Sequence, residues 1–187
     1  MSGAVAGFPS VGPVPAIETA RLLLRGHRAG DYATCQAIWT DPEVVRYIGG
    51  RPSTAEEVWK RLLQYRGFWS VLGYGYWAVE EKASGRHIGD VGYADLKREI
   101  VPSLEGMLEF GWVLATQAHG KGYASEAVAA VSAWGQAHLG DRREVCIIAP
   151  ENLASIRVAE KAGFRRCRET SYHGSPSLVF VRRGDTP

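Results

Sequence analysis

The sequence has only three cysteines, Cys35, Cys146 and Cys167, and no C-x-x-C among them. An odd count cannot all pair within one chain, so a disulfide framework is not expected and a reduced, cytoplasmic setting fits. The histidines, His27, His87, His119, His138 and His173, stand far apart, and none forms the close pair typical of zinc sites. No metal site is expected. No apolar run approaches the ~18–20 residues that a membrane-spanning helix needs. Residues 1–16 lack the basic start and unbroken apolar stretch of a secretory signal. Neither sign of charge dominates, with 22 Lys and Arg against 20 Asp and Glu and a formal net charge of +2. The basic pairs, such as Arg142-Arg143 and Arg165-Arg166, are scattered and sit mostly beside acids. The concentrated stripe of a nucleic-acid binder is missing, and neither nucleic acid nor membrane is expected as a partner.

What is present suits one globular domain: 187 residues, 45% hydrophobic and 22% charged. Small residues, glycine and proline fill residues 1–16, which read as a loose tail ahead of a domain over 17–183, with a second short tail at 184–187. Arg21 to His27 is strand-like, and Asp31 to Trp39 has helical spacing. Asp41-Pro42 reads as an N-cap followed by first-turn proline. Ser53 to Glu57 signals the start of a helix running to about Trp69. The period then changes. Tyr74 to Glu81 and Arg86 to Leu96 read as a hairpin around Ala83-Ser84-Gly85. Leu108 to Leu114 (LEFGWVL) reads as a third strand, with Gly111 hinting at a bulge. A helix over Gly122 to Leu139 follows, then a short strand at Glu144 to Ala149. Asn152 caps a last helix ending at Gly163. Strands at Phe164 to Tyr172 and Leu178 to Arg182 complete the order. The strand-helix-strand-helix stretch implies parallel pairing inside a mainly antiparallel sheet, a mixed α/β fold.

The chemistry concentrates between Met107 and Phe164. His119-Gly120-Lys121-Gly122-Tyr123-Ala124 lies between a strand and a helix. Glycines there let successive N–H groups point into one concavity at a helix N-terminus, a place suited to phosphate. The same glycines equally fit a plain turn. Known nucleotide signatures fit badly: Lys121 is followed by Gly122 and Tyr123 where a P-loop needs serine or threonine, and Ser125 stands where a dinucleotide fingerprint needs glycine or alanine.

This stretch resembles motif A of the GNAT N-acetyltransferase family, [Gln/Arg]-x-x-Gly-x-[Gly/Ala], with His119 in first place, Gly122 in fourth and Ala124 in sixth. A register beginning at Gln117 also satisfies the letters; the first places the helix correctly. Residues Asn152 to Phe164 (NLASIRVAEKAGF) are similar to motif B in its RimJ/RimL-like form, as are Ile17 to Arg25 and LEFGWVL. The similarity covers about residues 17–172. It implies a sheet splayed at the cofactor site, with acetyl-coenzyme A as cosubstrate and its pyrophosphate over His119, Gly120, Lys121, Gly122, Tyr123 and Ala124. Its pantetheine arm would meet backbone groups of Val113 and Leu114. It also implies acetyl transfer to a primary amine, either a protein N-terminal α-amino group or a small-molecule amine, by direct attack in a ternary complex. Homodimers are common in the family. A second reading is a coenzyme A-binding module of the same fold without catalysis.

Strand alternation sets Glu109, Gly111 and Val113 on one face and Phe110, Trp112 and Leu114 on the other. A carboxylate among apolar neighbours gains a raised pKa, which suits Glu109 to act as general base, and relatives often carry a glutamate there. The motif B tyrosine that protonates the leaving thiolate in many relatives is replaced by Ala159. Ser155, one turn earlier, is the residue that the resemblance assigns to the thiolate. Asn152 is both an expected N-cap and, by resemblance, a cofactor-binding residue. Tyr123 suits either cofactor stacking or core packing. Trp39, Tyr47, Trp59 and Trp69 fall in the region that covers the acceptor in relatives, so one or two would line an acceptor pocket.

Overall fold

The computed structural model describes residues 12–183, so most of the first expected tail and the whole of the second lie outside the described residues. Eight strands form one sheet: β1 (Ile17–Glu18), β2 (Leu22–Arg25), β3 (Tyr76–Glu81), β4 (Arg86–Ala94), β5 (Leu108–Leu114), β6 (Glu144–Ile148), β7 (Arg165–Tyr172) and β8 (Ser175–Arg182). Their spatial order is β1-β2-β3-β4-β5-β6-β8-β7, and every neighbouring pair is antiparallel except β5 and β6. The helices are α1 (Tyr32–Thr40), α2 (Pro42–Val45), α3 (Ala55–Leu72), α4 (Tyr123–His138) and α5 (Leu153–Lys161). The expected mixed fold and element order are thus present.

Local chemistry accounts for the helix limits. The Thr54 hydroxyl accepts from the Glu57 amide at 3.2 Å while the Glu57 carboxylate accepts from the Thr54 amide at 2.8 Å, a reciprocal cap for α3. Gly73 ends that helix at φ 74°, a conformation glycine adopts without steric cost. Asp41 caps α2 by accepting from the Glu43 amide at 3.0 Å. Alternation along β5 sends Leu108, Phe110 and Leu114 into a core with Val128 and Val131 of α4 and Ala159 of α5. Val113 instead joins a second core of Cys35, Ile38 and Trp39 from α1 with Val58 and Leu62 from α3.

Three expectations change. The strand β1 was not read from the sequence, because two residues are too few for any periodicity. Residues ahead of 17 also pack on the domain: the buried Trp77 indole donates to the Pro15 carbonyl at 2.7 Å, and Val14 packs on the core. Finally, Gly111 sits in regular register opposite Gly92, and the irregularity falls at Val79 and Glu80 instead. Gly111 is required for a different reason, because a Cβ there would run into the Tyr76 hydroxyl.

Candidate active site

The site begins where the sheet opens. β5 and β6 share only two registered pairs, Leu108 with Glu144 and Glu109 with Val145, and then diverge. Beyond Glu109 the β5 edge is therefore unpaired on that side. In an antiparallel pair the N–H and C=O of one residue point the same way and alternate along the strand. The Ala115 amide bonds to Ile88 on the β4 side, and the Leu108 amide bonds to Arg143 on the β6 side. Phe110, Trp112 and Leu114 thus present their backbone groups to the opening, whereas those of Val113 face β4. Of the two residues expected to meet the pantetheine arm, Leu114 therefore has its backbone groups turned to the opening and Val113 has them turned away, while Trp112 between Gly111 and Val113 faces the opening. The Leu114 carbonyl already accepts from His119 Nε2 at 2.9 Å, leaving its amide for a ligand.

The glycine turn stands at the end of β5. Gly120 and Gly122 have φ of 73° and 79°, which curls the chain immediately before α4. Glu126 is the first α4 amide to find an acceptor in this turn, the Gly122 carbonyl at 3.1 Å, so the preceding amides have no intrahelical partner. The His119 amide is not among them, since it bonds to the Thr116 carbonyl at 3.1 Å. Arg21, the residue just before β2, fixes the turn. Its guanidinium donates to the Lys121 carbonyl at 2.9 Å and to the Glu126 carboxylate at 2.7 Å. Tyr123 lies with its ring 4.5 Å from the Arg21 guanidinium and its hydroxyl donating to Glu81 at 2.5 Å. These partners, invisible from local spacing, tie Tyr123 to the turn. The remaining free amides and the dipole of α4 fit a pyrophosphate.

Glu109, Asn152 and Ser155 line one cavity of about 200 Å³ at the opening. Asn152 Oδ1 accepts from the Ser155 amide at 3.1 Å, so its N-cap role is present and its amide nitrogen is left for other contacts. Glu109 is 13% exposed and is not surrounded by apolar groups as expected. Arg98, on the chain following β4, donates to both of its oxygens at 2.7–2.9 Å. Burial opposes the Arg98 charge, but the Glu109 hydrogen bonds and charge outweigh it, so the guanidinium pKa lies above its ordinary value. Glu109 Oε1 accepts two of these bonds and Oε2 one, so Oε2 retains a lone pair.

Aromatic groups make much of the remaining wall. Tyr65 and Tyr76 stack at 4.6 Å between centroids, and burial raises both hydroxyl pKa values, keeping them protonated. Trp39 and Tyr47 line the cavity. Trp59 is exposed against Tyr32, and Trp69 packs edge-on to Trp77 and Trp134 in the core. Burial also pushes up the thiol pKa of Cys146, a cavity residue, making it a poor nucleophile.

Behind this wall the fold gathers His27, His87 and Asp90, whose candidate ligand atoms lie within 4.8 Å of one another. Sequence spacing gave no sign of the cluster, because β4 meets the chain after β2 only in the fold. Two imidazoles donate to one Asp90 oxygen, at 2.8 and 3.0 Å, so the cluster is held by its own hydrogen bonds.

An open strand edge, an amide-lined turn at a helix N-terminus and a cavity holding an oriented carboxylate together define an acyltransferase that takes its acyl group from a coenzyme A thioester. The profile of the acetyltransferase (GNAT) domain matches residues 21–165, and the chain belongs to that family. Acetyl-coenzyme A is its cosubstrate. A Bacillus subtilis (strain 168) protein, YkkB, is 30% identical over 171 residues, which span 89% of this chain and 95% of its own. A Bordetella pertussis structure described as GNAT-family is similar at TM-score 0.79 and 28% identity, covering 90% of this chain and 99% of that one. RimL, a ribosomal L7/L12 α-N-protein acetyltransferase in complex with coenzyme A, shares the fold at TM-score 0.72 and 18% identity, covering 92% and 100%. Among the described residues no helix is long and apolar enough to cross a membrane.

Proposed function

We propose that the chain acetylates the primary amine of an acceptor seated in the cavity beside Glu109, within the RimJ/RimL-like branch of the family. The observation that carries this reading is the convergence of Glu109 and Ser155 on one cavity at the β5–β6 opening. Acetyl-coenzyme A lies along the β5 edge, with Trp112 and Leu114 as backbone partners. Its pyrophosphate rests on the Gly120 to Ala124 amides, and the Asn152 amide nitrogen donates to the arm. The acceptor nitrogen attacks the thioester carbonyl directly, forming the C–N bond as the C–S bond breaks. Glu109 takes the amine proton at Oε2, directly or through water, while Arg98 fixes the carboxylate in place. The Ser155 hydroxyl donates a hydrogen bond to the departing thiolate. The raised thiol pKa of Cys146 favours this route over an acyl-enzyme.

The test is amine-dependent release of the coenzyme A thiol across a panel of small amines and N-terminal peptides, with the acetylated product identified by mass spectrometry. Release with at least one amine, and no release without one, is the expected outcome. Tight acetyl-coenzyme A binding with no amine-dependent release would contradict the reading and leave a binding module.

A further inference from the structure

Two guanidinium groups line the cavity, and only one is neutralised. Arg98 is paired with Glu109. Arg61, from α3, lies flat against Trp39, 3.6 Å from the ring centroid, and among the described residues no carboxylate pairs with it. Its Nε–H is buried without a hydrogen-bond acceptor. The charges next to it at the mouth are already matched, Arg51 by Glu57 and Lys60 by Glu56. The Nε atom is shut off from the cavity, but Arg61 as a whole is only half-buried, so the rest of its charged, carboxylate-free guanidinium is what a ligand in the cavity meets.

We infer that Arg61 receives an oxo-acid anion, a carboxylate or phosphate group, on the acceptor, so that the substrate is a small amine carrying such a group on an apolar or aromatic body. The inference rests on the acetyltransferase reading of this cavity. A guanidinium presents a planar fork that matches an oxo-acid with two parallel hydrogen bonds, and Trp39 holds that plane in advance. Tyr47, Tyr65, Phe68 and Tyr76 supply the apolar wall between the two ends. Arg61 and the Arg98–Glu109 pair together leave one net positive charge, which opposes polycationic acceptors.

The experiment measures binding of products to the coenzyme A-loaded protein through the fluorescence of the cavity tryptophans. The probes are N-acetylphenylalanine, its phosphonate counterpart and uncharged N-acetylphenethylamine. Wild type is expected to bind at least one anionic probe about tenfold or more tightly than the uncharged one. The carboxylate and phosphonate arms identify which anion is preferred. In Arg61→Gln the preference collapses towards one, and Arg61→Lys restores part of it. Unchanged acetyl-coenzyme A affinity in both variants verifies that they are folded. Equal or weaker binding of the anions by wild type, absence of binding by all three probes, or a preference that survives in Arg61→Gln would overturn the inference. Turnover of phenethylamine but not phenylalanine would also overturn it while leaving the acetyltransferase reading intact. An Arg61-dependent preference without turnover of any amine would count against that reading alone.

Discussion

Arg98 grips both carboxylate oxygens of Glu109, at 2.7–2.9 Å, and thereby sets how that acid meets the cavity. The guanidinium is itself braced by the Tyr172 ring, 4.8 Å from its centre. The result is an oriented carboxylate with one lone pair to spare, not a free carboxylate in an apolar pocket. Orientation of this kind limits the wasted motion of a proton acceptor.

Glu109→Gln is expected to lower turnover by roughly 10²–10⁴-fold, the usual range for losing a general base. Acetyl-coenzyme A affinity should remain within about twofold of wild type, since none of the proposed cofactor contacts uses this side chain. Steady-state thiol release and calorimetry read the two quantities separately. Unchanged turnover between pH 6 and 9 would remove Glu109 from the reaction.

Ser155 makes no side-chain hydrogen bond among the described residues, so its hydroxyl is available at the cavity wall. Ser155→Ala should slow single-turnover thiol release by about tenfold, the equivalent of one hydrogen bond to a charged atom. Its thermal stability should stay close to that of wild type. A wild-type rate would assign the serine to the helix alone.

Asn152 carries two expected duties that different substitutions separate. Asn152→Ala loses the cap on α5 and should cost about 1 kcal/mol in urea unfolding. Asn152→Ser keeps a capping oxygen but loses the amide donor. It should unfold like wild type yet bind acetyl-coenzyme A several-fold more weakly. Equal affinity in Asn152→Ser would leave only the capping role.

Much of this arrangement is legible in the sequence, and the remainder has identifiable physical reasons for being hidden. The capping box of α3, the Asn152 cap and the glycine turn before α4 are local devices, each declared within a few residues. The parallel pair β5–β6 follows from an intervening helix. Arg98 and Glu109 meet because the chain after β4 folds back along β5, which no periodicity announces. Gly111 carried a true signal with the wrong cause, since the space it leaves is filled by Tyr76 from two strands away. Arg61 reads in the sequence as an ordinary surface position of an amphipathic helix. Only the fold sets its guanidinium over the Trp39 ring at the cavity wall.

The buried cluster behind the cavity gives a pH signature. Burial opposes the His87 charge, but Asp90 outweighs it, so the His87 pKa lies above its ordinary value. Asp90 is also opposed by burial and is held well below the carboxylate range by His27 and His87. A raised histidine stabilises fully below its unfolded pKa of about 6.5, and that contribution is lost as pH rises through the folded value. The depressed Asp90 contributes above its unfolded pKa of about 4, and its share fades as pH falls through the folded value. The stability gap between wild type and His87→Gln should therefore be widest between about pH 4 and 6.5 and narrow on the alkaline side. Urea unfolding at pH 5, 6.5 and 8.5 measures it, and a gap that widens with pH would contradict this assignment.

The most direct measurement is a calorimetric titration of the wild-type chain with acetyl-coenzyme A, with desulfo-coenzyme A, NAD and ATP run in parallel. The unpaired β5 edge and the Gly120 to Ala124 amides predict single-site micromolar binding of acetyl-coenzyme A and of its desulfo analogue, with NAD and ATP far weaker. Failure to bind acetyl-coenzyme A, or equal binding of ATP, would contradict the reading of this opening as a thioester site.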